Sequence, residues 1–206
     1  MLPAPLSPTL ALARPKHKPK SLPKPGSTYH FGPYDWQVLK VESNRTLLIA
    51  KDIIKKHPYN TEFAGVTWET CTLRGWLNDV FLATFSEKDR NRIANTHNQD
   101  NQWFGIKGGN STKDKVFLLS IAEVVECFWD SGQLKNKNPK SKFWIDDNYN
   151  DKRKAEFDNN GFWWWLRSPG YSPFNATYID DDGFVILYGR IIDFEGGLRS
   201  ALWLNL

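Results

Sequence analysis

The chain has 206 residues, ten of them Trp, and 15 % aromatic side chains, enough to bury a sizeable core, and no run of about 18 apolar residues that would span a bilayer as a helix. Its formal net charge of +4 belongs to residues 1–26, where Arg14, Lys16, Lys18, Lys20 and Lys24 stand without an acid; the rest holds 22 basic against 23 acidic side chains, a net of −1, which speaks against a nucleic-acid partner. Two cysteines, Cys71 and Cys127, with no CxxC pattern and no paired histidines, give neither a metal site nor a cofactor site a footing, and they read as buried thiols rather than as a disulfide.

Residues 1–28 read as a disordered leader. Seven of the twelve prolines fall within residues 1–26, and Lys alternates with Pro in PKHKPKSLPKPG, a composition that cannot bury enough apolar surface to fold. A degraded secretion signal ending in Ala-Leu-Ala is the competing reading, but Pro3, Pro5 and Pro8 interrupt it and no charged segment opens it. A weak anchor to an acidic surface is a third. One domain then spans 29–206. Strands are expected over Trp36–Val41 and Thr46–Ala50, joined by a turn at Glu42–Arg45. Leu73, Trp76, Leu77, Val80 and Phe81 at helical spacing predict a helix capped by Thr67 or Thr70, with Cys71 packed in its first turn. Ser86 and Asp89 resemble a capping box for a second, short helix. The polar stretch 95–115 reads as a loop with a brief strand, a turn at Gly108-Gly109-Asn110 and a surface His97. Val116–Ser120 is a buried strand running into a helix capped by Ser120 and Glu123, whose inner face is Ile121, Val124, Val125 and Phe128. Residues 130–160 are a polar surface excursion with some helix around Lys152–Phe157. Asn44, Asn110 and Asn175 open glycosylation acceptor patterns, which matter only in a eukaryotic secretory setting.

The last 45 residues are built differently. WWWLRSPG (Trp163–Gly170) and GGLRSALWLNL (Gly196–Leu206) bracket a stretch rich in strand formers, broken by Gly183 and Gly189. Asp180-Asp181-Asp182-Gly183 falls short of an EF-hand calcium loop, because Tyr178 stands where an acid is needed. Arg167 and Arg199, set among Trp and Leu, read as internal ties that require a carboxylate or several carbonyls. The brackets are scaffold and the stretch between them is the working surface.

These residues resemble a bacterial domain-of-unknown-function family with WWLRSPG and GVRPALWLNL signatures, whose members look like the variable proteins of diversity-generating retroelements. The pattern falls on Trp164–Gly170, Ala176, Ile179, Asp182, Gly183, Val185, Gly189, Ile192 and Gly197–Leu206, with TWETCTLRGWLND and FGPYDWQVLKVE matching upstream; Leu198 and Ser200 depart from the usual Val and Pro. The resemblance implies an α+β, C-type-lectin-like (formylglycine-generating-enzyme-like) fold with mixed short sheets, two or three helices and a loop-rich C-terminal ligand face. It implies a variable region over 163–206, in which adenine-directed mutagenesis rewrites ligand positions on a fixed framework. The ligand positions would be Tyr171, Ser172, Phe174, Asn175, Thr177, Asp180, Asp181, Phe184, Ile186, Tyr188, Arg190, Asp193 and Phe194. The framework would be Trp164, Arg167, Gly183, Gly189, Arg199 and Trp203. The expected function is non-catalytic binding of a protein or glycan, at the cell surface or outside the cell rather than in the cytoplasm. Two competing expectations are an enzyme related to formylglycine-generating, sulfatase-modifying proteins, which needs an active-site cysteine, and a structural accessory domain packed on a neighbouring subunit.

Overall fold

The alternation that buries Trp36 and Val38 builds the first layer. β1 (Thr28–Phe31) pairs with β2 (Tyr34–Val41), and β2 with β3 (Arg45–Ala50), the Glu42 N–H donating to the Arg45 carbonyl across the second turn (2.8 Å). The structure is a computed structural model that describes residues 23–99, 105–134 and 143–206. Most of the expected leader, the centre of the polar loop and the lysine-rich part of the later excursion lie outside the described residues.

After β4 (Lys55–Pro58) come α1 (Thr72–Trp76), a π-helical turn over Leu77–Phe81 and one 3₁₀ turn over Leu82–Thr84. The π turn changes the expected stripe: Leu73, Leu77 and Phe81 are buried, but Val80 is turned out to solvent. The expected caps are also displaced. Cys71 precedes the first helical residue, and the Thr72 N–H is satisfied by Asn60 Oδ1 (2.9 Å), while Thr67 and Thr70 bond each other in the preceding turn. In α2 (Glu87–Arg92) Ser86 accepts from the Asp89 N–H (3.1 Å), but Asp89 takes the Ser86 hydroxyl rather than its N–H.

β5 (Thr96–Asn98) and β6 (Thr112–Asp114) form a small ladder that leaves His97 exposed. β7 (Val116–Phe117) is shorter than the strand expected over 116–120, because the Leu118 and Leu119 carbonyls turn to Arg167 instead of a ladder. α3 (Ile121–Phe128) carries the full capping box of Ser120 and Glu123. Then follow β8 (Trp144–Ile145), α4 (Asn150–Arg153), β9 (Glu156–Phe157) and β10 (Asn160–Gly161). The helix expected around Lys152–Phe157 thus stops at Arg153, and Glu156 and Phe157 belong to a strand. β11 (Trp164–Pro169), β12 (Asn175–Ile179), β13 (Val185–Ile191), β14 (Glu195–Leu198) and β15 (Ala201–Asn205) complete the chain.

Two larger sheets result, a five-stranded one in the order β1-β2-β3-β15-β7 and a six-stranded one in the order β4-β14-β11-β12-β13-β8. Their ladders are antiparallel except β11 with β14. The architecture is α+β, mostly sheet with a few short helices, and one buried cluster takes side chains from both sheets, α1 and α3. Among the described residues no helix is long and apolar enough to cross a membrane.

Candidate ligand-binding face

Three buried arginines fix the elements that carry the face. Arg167 on β11 grips both carboxylate oxygens of Glu123 on α3 and donates to the Leu118 carbonyl (2.7 Å). Among the described residues, Arg199 has no carboxylate in bonding reach. It donates to the carbonyls of Ala50, Lys51, Arg153 and Lys154 and to Gln37 Oε1 at 3.0–3.3 Å, and lies over the Trp164 ring; burial pulls its pKa down to about 10. The third is Arg153, wholly buried in a stretch expected to be surface. It donates to the Gly183 carbonyl (2.9 Å), Asp147 Oδ1 (2.5 Å) and Asn150 Oδ1 (2.6 Å), and its own carbonyl accepts from Trp164 Nε1 (2.9 Å). Burial opposes the Asp147 charge, but N–H groups of Tyr149 and Ser131 and the Arg153 guanidinium outweigh it and hold the carboxyl below its usual range. The only sequence cue to Arg153 is the spacing of Asp147, Asn150 and Arg153, three residues apart.

The strand register separates two sides of the six-stranded sheet. Trp164, Ile179, Val185 and Ile145 pair across it on one side, and Trp165, Tyr178, Ile186 and Trp144 on the other. The second side starts covered, where Tyr59 meets Trp165 (5.8 Å) and its hydroxyl donates to the Arg167 carbonyl (3.1 Å). It then opens outward. Trp163 touches Trp165 and Tyr178 edge-on at 4.7 and 5.2 Å, and the Arg190 guanidinium bridges Trp163 and Phe194 at 5.0 and 5.1 Å. Burial first, then the Tyr188 hydroxyl beside it, pushes the Tyr178 phenol up to about 12. Phe143 meets Tyr188 at 6.1 Å, and the Tyr188 carbonyl accepts from the Tyr171 N–H (3.0 Å). Phe174 stacks on Phe63 at 4.9 Å, and Phe63 and Tyr171 are 62 % and 61 % accessible, far beyond what a packed ring shows.

The thirteen expected ligand positions therefore divide. Tyr171, Phe174, Tyr188, Arg190, Asp193 and Phe194 are exposed, and Ser172 is half-buried beside them. Asn175, Thr177 and Ile186 are buried and do not reach the surface: Thr177 donates to the Ser168 carbonyl (2.9 Å), and Asn175 Oδ1 accepts from the Ser172 hydroxyl (2.5 Å). Asp180, Asp181 and Phe184 sit at the opposite end of the β12–β13 hairpin, about 13 Å along the strands. There Asp180 Oδ1 accepts the Phe184 N–H (2.7 Å), so it shapes the turn, with burial raising its pKa. Phe63, Phe143 and Trp144 are also exposed beside these positions and were not among the expected ones, because they lie outside the 163–206 segment; large aromatics inside polar stretches were the available signal.

The expected framework residues are buried. Gly189, at φ 78°, has room for no Cβ, which would fall 2.6 Å from the Ala176 carbonyl oxygen; at Gly183, φ 87°, it would fall 2.1 Å from that of Asn150. Trp203 packs under the Arg45 guanidinium at 4.2 Å. Cys71 and Cys127 are free thiols, both pushed up to about 12 by burial, on α1's cap and on α3.

Residues 43–206 match the family described as Domain of unknown function (DUF6273), and the chain belongs to that family. No curated protein and no solved structure matches the chain.

Proposed function

We propose that this member of the family is a non-catalytic binding module of C-type-lectin-like type, whose aromatic face takes a protein or glycan ligand and whose 163–206 segment is the diversified target of a retroelement. The observation that carries the reading is the exposure of Tyr188 on β13 and of Tyr171, Phe174 and Phe194 in the adjoining loops, on a sheet whose supporting residues are buried and tied. Rings left in water at several neighbouring positions cost free energy that a partner recovers. Tyr beside Ser and Arg offers rigid amphipathic contact with adaptable hydrogen bonding, the chemistry of antibody paratopes.

The test combines Tyr171→Ser, Phe174→Ser, Tyr188→Ser and Phe194→Ser. The variant should melt within a few degrees of the parent chain and lose whatever ligand the parent finds on glycan and peptide arrays. If the variant unfolds, those rings are core and the reading fails. Retroelement targeting is checked in the flanking DNA, which should hold a reverse transcriptase and a near-copy of the 163–206 coding segment differing mainly at adenines. The enzyme reading is weaker because Cys71 is buried, Cys127 is half-buried, both thiols are held protonated, and both are remote in sequence from the face. Copper binding, or an activity lost in Cys71→Ser, would reverse that preference.

A further inference from the structure

The residue that ends α3 is Trp129, at φ 67° and ψ 168°, a backbone region that ordinarily only glycine occupies. A bulky side chain in that conformation is costly and persists only where its neighbours fix it. Here the Trp129 N–H donates to the Val125 carbonyl (2.9 Å), and its own carbonyl accepts from the buried Arg153 guanidinium (3.3 Å). The strain secures an indole that is 56 % accessible, on the wall of a groove of about 580 Å³ between β2 and the end of α3. The Tyr149 ring stands nearly perpendicular to it, at 74° and 6.0 Å. The Lys152 ammonium reaches into this corner, 3.6 Å from the Trp129 centroid and 5.3 Å from that of Tyr149. α4 thus sends Arg153 inward to hold the Trp129 backbone and Lys152 outward over its ring. The groove's other charges, Lys40 and Glu126, pair with each other at 2.9 Å.

We propose that Trp129 and Tyr149 form a binding corner for an alkylated ammonium group, a quaternary or methylated amine, and that Lys152 occupies it from within the chain until such a ligand displaces it. Two aromatic faces at right angles attract a cation and contact its apolar surface at once. A primary amine in solution offers the corner nothing that Lys152 lacks, and Lys152 is tethered beside the site at high effective concentration. A trimethylammonium group loses less hydration on entry and covers both rings with methyl groups, so it is the class that can win the exchange. The corner lies against the five-stranded sheet, and the proposal does not depend on the aromatic face of the six-stranded one.

The experiment titrates the full chain with choline and follows the indole N–H signals in a proton–nitrogen correlation spectrum. The Trp129 signal is identified by its loss in Trp129→Gly, which relieves the positive φ and keeps the fold. Choline should shift that signal saturably, and its uncharged isostere, with tert-butyl in place of trimethylammonium, should not. Lys152→Ala should tighten choline binding by about two- to fivefold, the weight of one exposed cation–π contact. No saturable shift in either the parent chain or Lys152→Ala, an equal response to the isostere, or unchanged affinity in Lys152→Ala overturns the proposal.

Discussion

Ser200 holds a wholly buried hydroxyl without a hydrogen-bond partner among the described residues. An unsatisfied buried hydroxyl costs free energy that a methyl group does not. Ser200→Ala should therefore raise the unfolding free energy by about 1 kcal/mol in urea denaturation. The two thiols set the alkaline behaviour. Burial raises each from an ordinary 9.0 to about 12, so between those values the unfolded chain loses protons that the folded chain keeps. Their contribution is complete below pH 9 and is lost as the pH climbs towards 12. Melting temperature should fall across that window, and the fall should be shallower in Cys71→Ala; an identical slope would remove Cys71 from the account.

Among the elements, the β12–β13 hairpin leaves no room for added volume at its glycines. Gly189→Ala brings a Cβ against the Ala176 carbonyl at a positive φ and should cost about 3 kcal/mol, whereas Gly75→Ala, on an exposed helical position with open space around it, should gain up to about 1 kcal/mol. Comparing the two by chemical denaturation separates crowding from a general glycine effect. Such local chemistry was partly legible beforehand. Strand formers on either side of the Glu42–Arg45 turn disclosed β2 and β3, and Ser120 with Glu123 disclosed α3, because both signals depend on neighbours in sequence. The π turn that expels Val80 was not legible, since it follows from how Leu77 and Phe81 seat in the core. Arg153 was hidden for a similar reason: its partners include the Gly183 and Trp129 carbonyls, and their proximity is tertiary. Asn175, Thr177 and Ile186 were expected at the surface because the resemblance implied variable positions between framework residues, and that pattern does not tell which side of the hairpin the rest of the chain covers.

At the scale of the molecule, the second bracket of the C-terminal stretch, Gly196–Leu206, crosses from one sheet to the other. β11 and β14 lie in the six-stranded sheet, and β15 lies between β3 and β7 in the five-stranded one. A chain ended after Leu198 should consequently show no cooperative melting transition, since Leu48 and Ile49 on β3 lose their partner strand. A folded, cooperative truncation would show that the five-stranded sheet closes without β15. Synthesis gives this arrangement a temporal meaning. Until the ribosome has passed the whole 171–195 stretch and released β15, β3 remains an open apolar edge, and the nascent chain depends on whatever shields it. A frameshift or stop codon introduced within that stretch deletes the closing strand as well, so a chain truncated or garbled there is handed to proteolysis instead of persisting in a folded form.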